Sequence, residues 1–339
     1  MKNISTGNYN LIEDTHLREC IEKVLENNQY HGYSSPKGIK ELRTKISSIL
    51  ETLWHFSIDP SNLLITTGSQ QSIHLIIDAF LKEKEKILIE EPTYFGAIKV
   101  FQNQKLKMMG IPIQEEGINL IELEKKILEE KPKWIYVVPT FNNPTGYAWS
   151  KENRIRFLEL INRYHLFVIE DDPYSLINLS DQHYPSLYQL NHGKNVIYLG
   201  TFSKYISSSI NVGYILADSD IISKLYGYKE SYDLCTSLFH QQVILTYLET
   251  YDLIQEVQDK ISHYKKCLND SFKKLRKEYK DHIEITIPKG GLFFLVRFKN
   301  KDTLPLLQDQ QTYFIHPQKD QYVRVNICSI LEEEKDTKA

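Results

Sequence analysis

The sequence predicts an α/β fold: a mainly parallel central sheet in a large domain, plus a smaller α/β domain. Three observations carry that prediction. Short apolar runs at Asn62, Ile87, Lys133, Leu166 and Val196 alternate with stretches of helical periodicity, the pattern of parallel strands joined by right-handed crossovers. Each run closes in small, polar or proline residues, so the groups suited to chemistry gather at the carboxyl edge, where such sheets bind ligands. From about Ile221 to Lys280 the chain turns polar and helical. Shorter strand-like runs follow at Ile283 to Ile287, Gly290 to Val296 and Tyr322 to Ile327.

Composition narrows the function classes. The 339 residues carry a net charge of -3, so no global basic field argues for nucleic acid. The Lys82 to Lys86 run mixes both signs and reads as a solvated face. Cys20, Cys235, Cys267 and Cys328 are scattered without a C-x-x-C pair, which suits reduced thiols better than a disulfide frame or a zinc site. The first residues lack an apolar signal region, and no run approaches the ~20 apolar residues of a membrane span. A cytoplasmic location is expected.

Taken in order, a helix is expected from about Thr15 to Asn27, then a Gly/Pro loop from Tyr30 to Gly38. A second helix starts at Ile39, with Leu42, Ile46, Ile49 and Leu50 at helical spacing. The strand from Asn62 to Thr66 ends in Thr67-Gly68-Ser69-Gln70-Gln71 ahead of an apolar helical face, Ile73, Ile76, Ile77 and Phe80. Free backbone N–H groups at Gly68, Ser69 and Gln70 would make an anion seat there. The plainer alternative is an N-cap at Ser69.

The strand from Ile87 to Glu90 leads to Tyr94, which could stack on a flat ring or simply pack. After the strand from Lys133 to Val138, Asn143 is restricted by Pro144; it either holds one orientation for a ligand or forms an ordinary turn. A helix from Lys151 to Tyr164 precedes Leu166 to Glu170, followed by Asp171 and Asp172. Three acids at a buried strand end need a partner: a cation, a protonated ring nitrogen or a metal. Metal comes last, because no histidine cluster accompanies them.

The run Val196 to Leu199 closes on Gly200-Thr201-Phe202-Ser203-Lys204. A lysine held there points at the carboxyl edge, where desolvation lowers its pKa and makes it nucleophilic toward carbonyl compounds. Thr201 and Ser203 offer hydroxyls to an anion; a surface lysine at a strand end is the plain alternative. A further strand is expected from Asn211 to Ala217. Arg324 alternates with apolar neighbours, as a carboxylate-binding fork or as a rim salt bridge. Neither G-x-G-x-x-G nor G-x-x-x-x-G-K-[ST] occurs, which argues against a nucleotide-binding Rossmann or P-loop protein.

These motifs, Y-S-S-P-K-G-I-K-E-L-R, I-T-T-G-S-Q-Q, E-E-P-T-Y, N-N-P-T-G, I-E-D-D-P-Y, T-F-S-K and V-R-V-N, stand in one order from about Tyr30 to Ile330. In that order the chain resembles the fold-type I pyridoxal-phosphate enzymes. It is most similar to class I/II aminotransferases of the aminoadipate-aminotransferase kind and to the enzyme-like domains of MocR regulators. The resemblance implies a homodimer with a shared active site and three parts: residues 1–45 as the amino-terminal part of the small domain and a dimer arm, 46–220 as the large cofactor-binding domain, and 221–339 as the carboxyl-terminal small domain. It implies that Lys204 forms a Schiff base with pyridoxal 5′-phosphate and later moves a proton between the substrate Cα and the cofactor. Asp171 would pair with the pyridine nitrogen, Asn143 and Tyr174 with the ring hydroxyl, and Tyr94 would stack on the ring. Gly68, Ser69, Gln70, Thr201 and Ser203 would hold the phosphate, with Tyr33 reaching in from the partner subunit. Arg324 would clamp the substrate α-carboxylate, with Asn143 also among the substrate-binding residues. No metal is implied.

Three departures stand out. Where the family reads S-K-x-x-x-P-G-L-R-x-G-Y, this chain places Asn211 at the phosphate-binding arginine. Losing a charge-assisted hydrogen bond weakens cofactor affinity by about 1.5–3 kcal/mol unless Ser207 to Ser209 or another cation substitutes. The segment between Val296 and Arg324 is short, and the chain stops soon after Ile330. With no DNA-binding module ahead of the domain, a MocR-type regulator is not expected. Amino transfer between an amino acid and a 2-oxo acid, in a specialised biosynthetic pathway, is the expected activity. A lyase, decarboxylase or cyclase using the same cofactor, and a non-catalytic relative, stay open alternatives. Substrate side-chain specificity is expected from loops near Tyr9, Tyr30, His31, Tyr232 and His316.

Overall fold

A computed structural model describes residues 11–299 and 322–328; Tyr9 and His316 lie outside them. Helices α1 (Asp14–Glu26) and α2 (Lys40–Trp54) precede strand β1 (Leu63–Thr66). Three crossovers then build the sheet: α3 (Gly68–Phe80) to β2 (Lys86–Glu91), α4 (Phe95–Asn103) to β3 (Lys107–Gln114), and, after the short β4 (Gly117–Ile118), α5 (Leu120–Glu130) to β5 (Trp134–Val137). Next come α6 (Lys151–Tyr164), β6 (Phe167–Asp172), the single turn α7 (Leu187–Leu190), β7 (Val196–Thr201) and β8 (Gly213–Leu216). The helices α8 (Ser219–Asp233), α9 (Leu238–Thr250) and α10 (Leu253–Tyr279) lead to β9 (Ile283–Ile285), β10 (Phe293–Phe298) and β11 (Tyr322–Asn326).

The large sheet runs β1-β8-β7-β6-β5-β2-β3-β4. Its parallel part is β7-β6-β5-β2-β3, while β8 lies antiparallel between β7 and β1. Side-chain alternation feeds two cores. Ile87, Ile89, Tyr136, Ile169 and Ile197 face α3 and α4; Leu88, Ile135, Val168 and Val196 face the other layer with Phe157 and Ile161 of α6. Both faces are covered, which is why these strands read as continuous apolar runs.

Two sequence readings change. The Asn62 run was expected among the parallel strands, yet β1 pairs only with β8 and antiparallel, because the 211–217 segment returns directly alongside β7. The strand β3 was not foreseen: Gly110 and Pro112 interrupt its pattern, and several of its residues are exposed or half-buried.

This topology places the site. The chain moves outward one way from β2 to β3 and the other way from β5 through β6 to β7, so the loops after β2 and β5 diverge and open a crevice at their carboxyl ends. The small antiparallel sheet β11-β10-β9 closes over that edge. It is stitched there by Lys289 N–H to Gly146 O (2.8 Å), the Thr286 hydroxyl to Thr145 O (3.0 Å) and Gly291 N–H to Ile177 O (2.8 Å). Gly146 sits at φ +71°, and a Cβ there would overlap Pro288, so glycine is required for this approach. Among the described residues, no helix is long and apolar enough to cross a membrane.

Candidate active site

The three acids that end β6 do not share a partner. Strand alternation sends Glu170 and Asp172 to one face and Asp171 to the other. Glu170 accepts from Leu187 N–H and Tyr188 N–H, both at 2.8 Å, at the start of α7. Asp172 accepts from the Tyr198 hydroxyl (2.8 Å) and from Ser175 N–H (3.0 Å). Asp171 is different. Its Oδ2 accepts from the Tyr136 hydroxyl at 2.6 Å, while its buried Oδ1 has no hydrogen-bond partner. Burial pushes the Asp171 carboxyl up to about 7, opposed by the Tyr136 bond, raised further by Asp172 and lowered by Lys204.

After β5 the chain turns through Pro139 to Trp149, and buried side chains hold that loop. Glu90, at the end of β2, accepts from Val138 N–H (2.6 Å), Asn142 Nδ2 (3.1 Å) and Trp149 Nε1 (2.9 Å). Arg154 of α6 is wholly buried and donates to the carbonyls of Trp149, Pro139 and Pro185 and to the Thr140 hydroxyl. The framed loop presents Asn143, whose Nδ2 donates to the Tyr174 hydroxyl at 3.3 Å. Its Oδ1 accepts from Arg324 Nη1 at 3.1 Å. Arg324 is delivered by β11 opposite Leu295, and its guanidinium lies 4.0 Å from the Phe293 ring centroid and 5.6 Å from that of Phe95.

The turn after β7 presents Lys204, half-buried. Burial holds its amine below the usual lysine range; the charge of Arg324 lowers it further, and Asp171 opposes. Tyr94, the residue before α4, feels the same two charges: burial pushes its hydroxyl up to about 12, with Asp171 raising it and Arg324 lowering it. Lys204 and Tyr94 therefore both stand within electrostatic reach of Asp171 and Arg324. Four sequence candidates from four separate segments converge on one crevice.

Around the amino end of α3 the picture is more specific than the sequence allowed. The helix begins at Gly68, so Ser69 is its second residue and not its cap. The first backbone N–H groups of a helix have no partner within it, and they carry its positive dipole end. Gln70 instead ties two helices together: its Nε2 donates to Gly96 O at 3.1 Å and its Oε1 accepts from the Tyr94 hydroxyl at 3.2 Å. Thr201 Oγ1 is engaged within the turn, donating to Val212 O and accepting from Ser203 N–H, both at 3.2 Å. Ser203 Oγ donates to Asn211 Oδ1 at 3.4 Å. The hydroxyls of Ser207 and Ser209 bond to each other. Tyr33 is 84 % exposed, so a single chain does not pack it into its own crevice.

Comparison with known proteins settles the family. The family model described as aminotransferase class I and II matches residues 1–339. The chain belongs to the class I and II aminotransferases. It is 30 % identical over 335 residues to aromatic-amino-acid aminotransferase 1 of Thermococcus litoralis, covering 94 % of this chain and 80 % of that one. To the 2-aminoadipate transaminase of Thermus thermophilus it is 32 % identical over 281 residues, covering 82 % and 67 %. Among solved structures, the multiple substrate aminotransferase of Thermococcus profundus superposes with a TM-score of 0.87 at 26 % identity, covering 99 % and 92 %. The alpha-aminoadipate aminotransferase of Thermus thermophilus gives 0.88 at 26 %, covering 96 % and 86 %.

The protein is thus a pyridoxal-phosphate-dependent aminotransferase acting on an amino acid and a 2-oxo acid. The residues of this aminotransferase fit that cofactor. The partnerless Oδ1 of buried Asp171 suits a protonated ring nitrogen, and a carboxyl left there without a donor would be costly. Sequence reasoning missed the residues behind this set: Tyr136, Glu90, Trp149 and Arg154. Tyr136 sits in a run that reads simply as core, and Arg154 sits in a helix whose other charges are solvated.

Proposed function

We propose that this aminotransferase takes an aromatic amino acid as donor and works through Lys204, Asp171, Asn143, Tyr174, Tyr94 and Arg324 in the crevice between β2 and β5. One observation carries the reading: the buried Asp171 carboxyl, with one oxygen held by Tyr136 and one left over, lies within electrostatic reach of Lys204. When bound, pyridoxal phosphate supplies a carbonyl that takes up the amino group and a ring that accepts electrons. The chain does the rest.

Asp171 would accept a hydrogen bond from the protonated ring nitrogen and so keep that nitrogen cationic, while Tyr136 fixes which of its oxygens is presented. Asn143 and Tyr174, already bonded to each other, turn donors toward the ring hydroxyl. Tyr94 covers the ring face, held by Gln70. Arg324, oriented by Asn143, binds the substrate carboxylate through its planar fork. Lys204, its amine kept basic but less often charged by burial and by Arg324, takes the proton from the substrate Cα and returns it on the other side of the transfer. Gly68, Ser69 and Gln70 offer backbone N–H groups to the phosphate, with Ser203 and Thr201 at the facing turn.

The aromatic preference rests on the Phe95 and Phe293 rings that flank Arg324, and on the relatives named for aromatic amino acids. Exposed Tyr33 supports a homodimer in which it completes the partner's phosphate seat. Four reduced thiols and the mild negative charge support a cytoplasmic location, and the divergent seat at Asn211 a specialised biosynthetic role. We read residues 46–220 as the cofactor-binding domain, with 1–45 and 221–339 forming the small domain and arm.

The test is the visible absorbance of purified protein with added pyridoxal phosphate. Wild type should show a band that borohydride removes, and Lys204→Ala should lack it. Aromatic donors should then convert the cofactor to its amino form faster than acidic ones, and a 2-oxo acid should reverse the change. Failure with every 2-oxo acid would sink the assignment.

A further inference from the structure

Away from the crevice, α10 and the end of β11 bring three soft ligands together. His263 and Cys267 lie one turn apart on α10, and Cys328 follows β11. Their ligand atoms all lie within 4.8 Å of one another. Cys267 Sγ and His263 Nε2 are 3.4 Å apart. Zinc bonds of about 2.3 Å to sulfur and 2.0–2.1 Å to nitrogen set tetrahedral edges of about 3.6 Å (S to N) and about 3.8 Å (S to S). The His–Cys edge is therefore already at bonding separation, and a small rotamer adjustment brings in the second sulfur.

The backbone of this corner is fixed independently of any ion. The Ser271 hydroxyl, one turn beyond Cys267, donates to Ile327 O at 2.8 Å, and Cys328 N–H donates to Asn326 Oδ1 at 2.9 Å. Cys267 is buried, Cys328 half-buried and His263 exposed, so the trio opens to solvent on the imidazole side. All four cysteines are reduced, and among the described residues the cluster includes no carboxylate. Two thiols and an imidazole select a thiophilic d10 cation over calcium or magnesium.

We propose that His263, Cys267 and Cys328 form a zinc site, with the fourth position taken by water. Two thiolates form as their protons leave to solvent, and no redox change is needed. The ion would clamp the end of the strand that carries Arg324 onto α10, without entering the reaction.

The test uses the cofactor-loaded full chain under reducing conditions, titrated with Co²⁺ as the spectroscopic probe. One equivalent should give ligand-field bands at wavelengths beyond the cofactor's absorption, and one equivalent of Zn²⁺ should abolish them. Cys267→Ser and Cys328→Ser should lose the bands. His263→Gln, at an exposed position that tolerates change, should weaken zinc affinity at least about tenfold, the lower end of what a lost supporting group costs at metal sites. At one equivalent, zinc should raise the thermal midpoint of wild type more than that of His263→Gln. Bands absent at stoichiometric cobalt, or retained by both serine variants, would overturn the site. So would a Cys267–Cys328 disulfide as the only product of zinc-loaded protein in air. Amino transfer is unaffected by either result, which keeps this test separate from that of the active site.

Discussion

The Asn211 carboxamide covers Gly68: a Cβ at residue 68 would overlap the Asn211 oxygen, and Gly68 itself sits at φ +72°. An uncharged amide thus lies over the amino end of α3, where the family motif carries an arginine. Among the described residues, the lysine behind this helix is Lys229 of α8. It is wholly buried, bonded to Gln71 Oε1 at 2.9 Å and to Asp233 Oδ1 at 2.6 Å, so its charge is already balanced by Asp233. A phosphate bound here as proposed would rely on backbone N–H groups, the helix dipole and hydroxyls.

Restoring the cation should tighten cofactor binding. Asn211→Arg should lower the dissociation constant for pyridoxal phosphate by roughly 10- to 150-fold, the equivalent of about 1.5–3 kcal/mol. Affinity for pyridoxal, which lacks the phosphate, should not change. Asn211 sits at φ +48°, so arginine there should also lower stability by about 1–2 kcal/mol. Equal changes for both ligands, read by fluorescence titration, would show that residue 211 does not face the phosphate.

Lys204 should titrate early. In cofactor-free protein, its amine is held below the ordinary value by burial first and by Arg324 second. A lysine-specific label, read residue by residue by mass spectrometry, should reach half-maximal rate at Lys204 at a lower pH than at surface lysines. Arg324→Gln removes one of the two lowering influences, so the Lys204 midpoint should move up. A midpoint that stays or falls would mean that the two side chains do not sense each other.

Tyr136→Phe isolates the Asp171 hydrogen bond. That bond holds the Asp171 carboxyl down against burial, so its loss should raise the pKa further and leave the group protonated at neutral pH. A neutral acid pairs less well than a carboxylate with a protonated ring nitrogen. We expect kcat to fall about tenfold or more, while the KM for the amino donor changes little. Stability should fall by about 1–3 kcal/mol from the unpaired oxygen. A change confined to KM would contradict the assigned role.

Arg154→Met tests the frame of the Asn143 loop. The guanidinium serves three carbonyls and one hydroxyl, and burial pushes its pKa down to about 10 against the pull of Glu170, Asp172 and Glu90. Removing a buried charge with such partners costs about 3–5 kcal/mol. Urea denaturation should show that loss, with a higher KM as Asn143 and Arg324 lose register. Arg154→Lys should not rescue, since an ammonium cannot span the same four acceptors.

Local signals were well read in the sequence, and long-range ones were not. The helix Lys151–Tyr164 and the carboxyl-edge positions of Tyr94, Asn143, Asp171 and Lys204 follow from periodicity and turn chemistry, which neighbouring residues encode. The pairing of β1 with β8, the separate partners of Glu170, Asp171 and Asp172, and the approach of Cys328 to His263 and Cys267 depend on segments far apart in the chain. No local pattern records them. Burial misled in one direction: Arg154 carries a charge and so reads as surface, though it is wholly enclosed.

The stitches from Thr286, Lys289 and Gly291 to the Asn143 loop and its neighbour make the proposed carboxylate clamp and the proposed ring-hydroxyl donors one mechanical piece. Phe95 rides on α4, outside that piece. Under the proposed assignments, the grip on what all amino acids share is inherited as a block together with Phe293 on β10, while Phe95, the other ring proposed to meet what distinguishes them, can drift separately. Selection can then retune the donor without rebuilding the reaction.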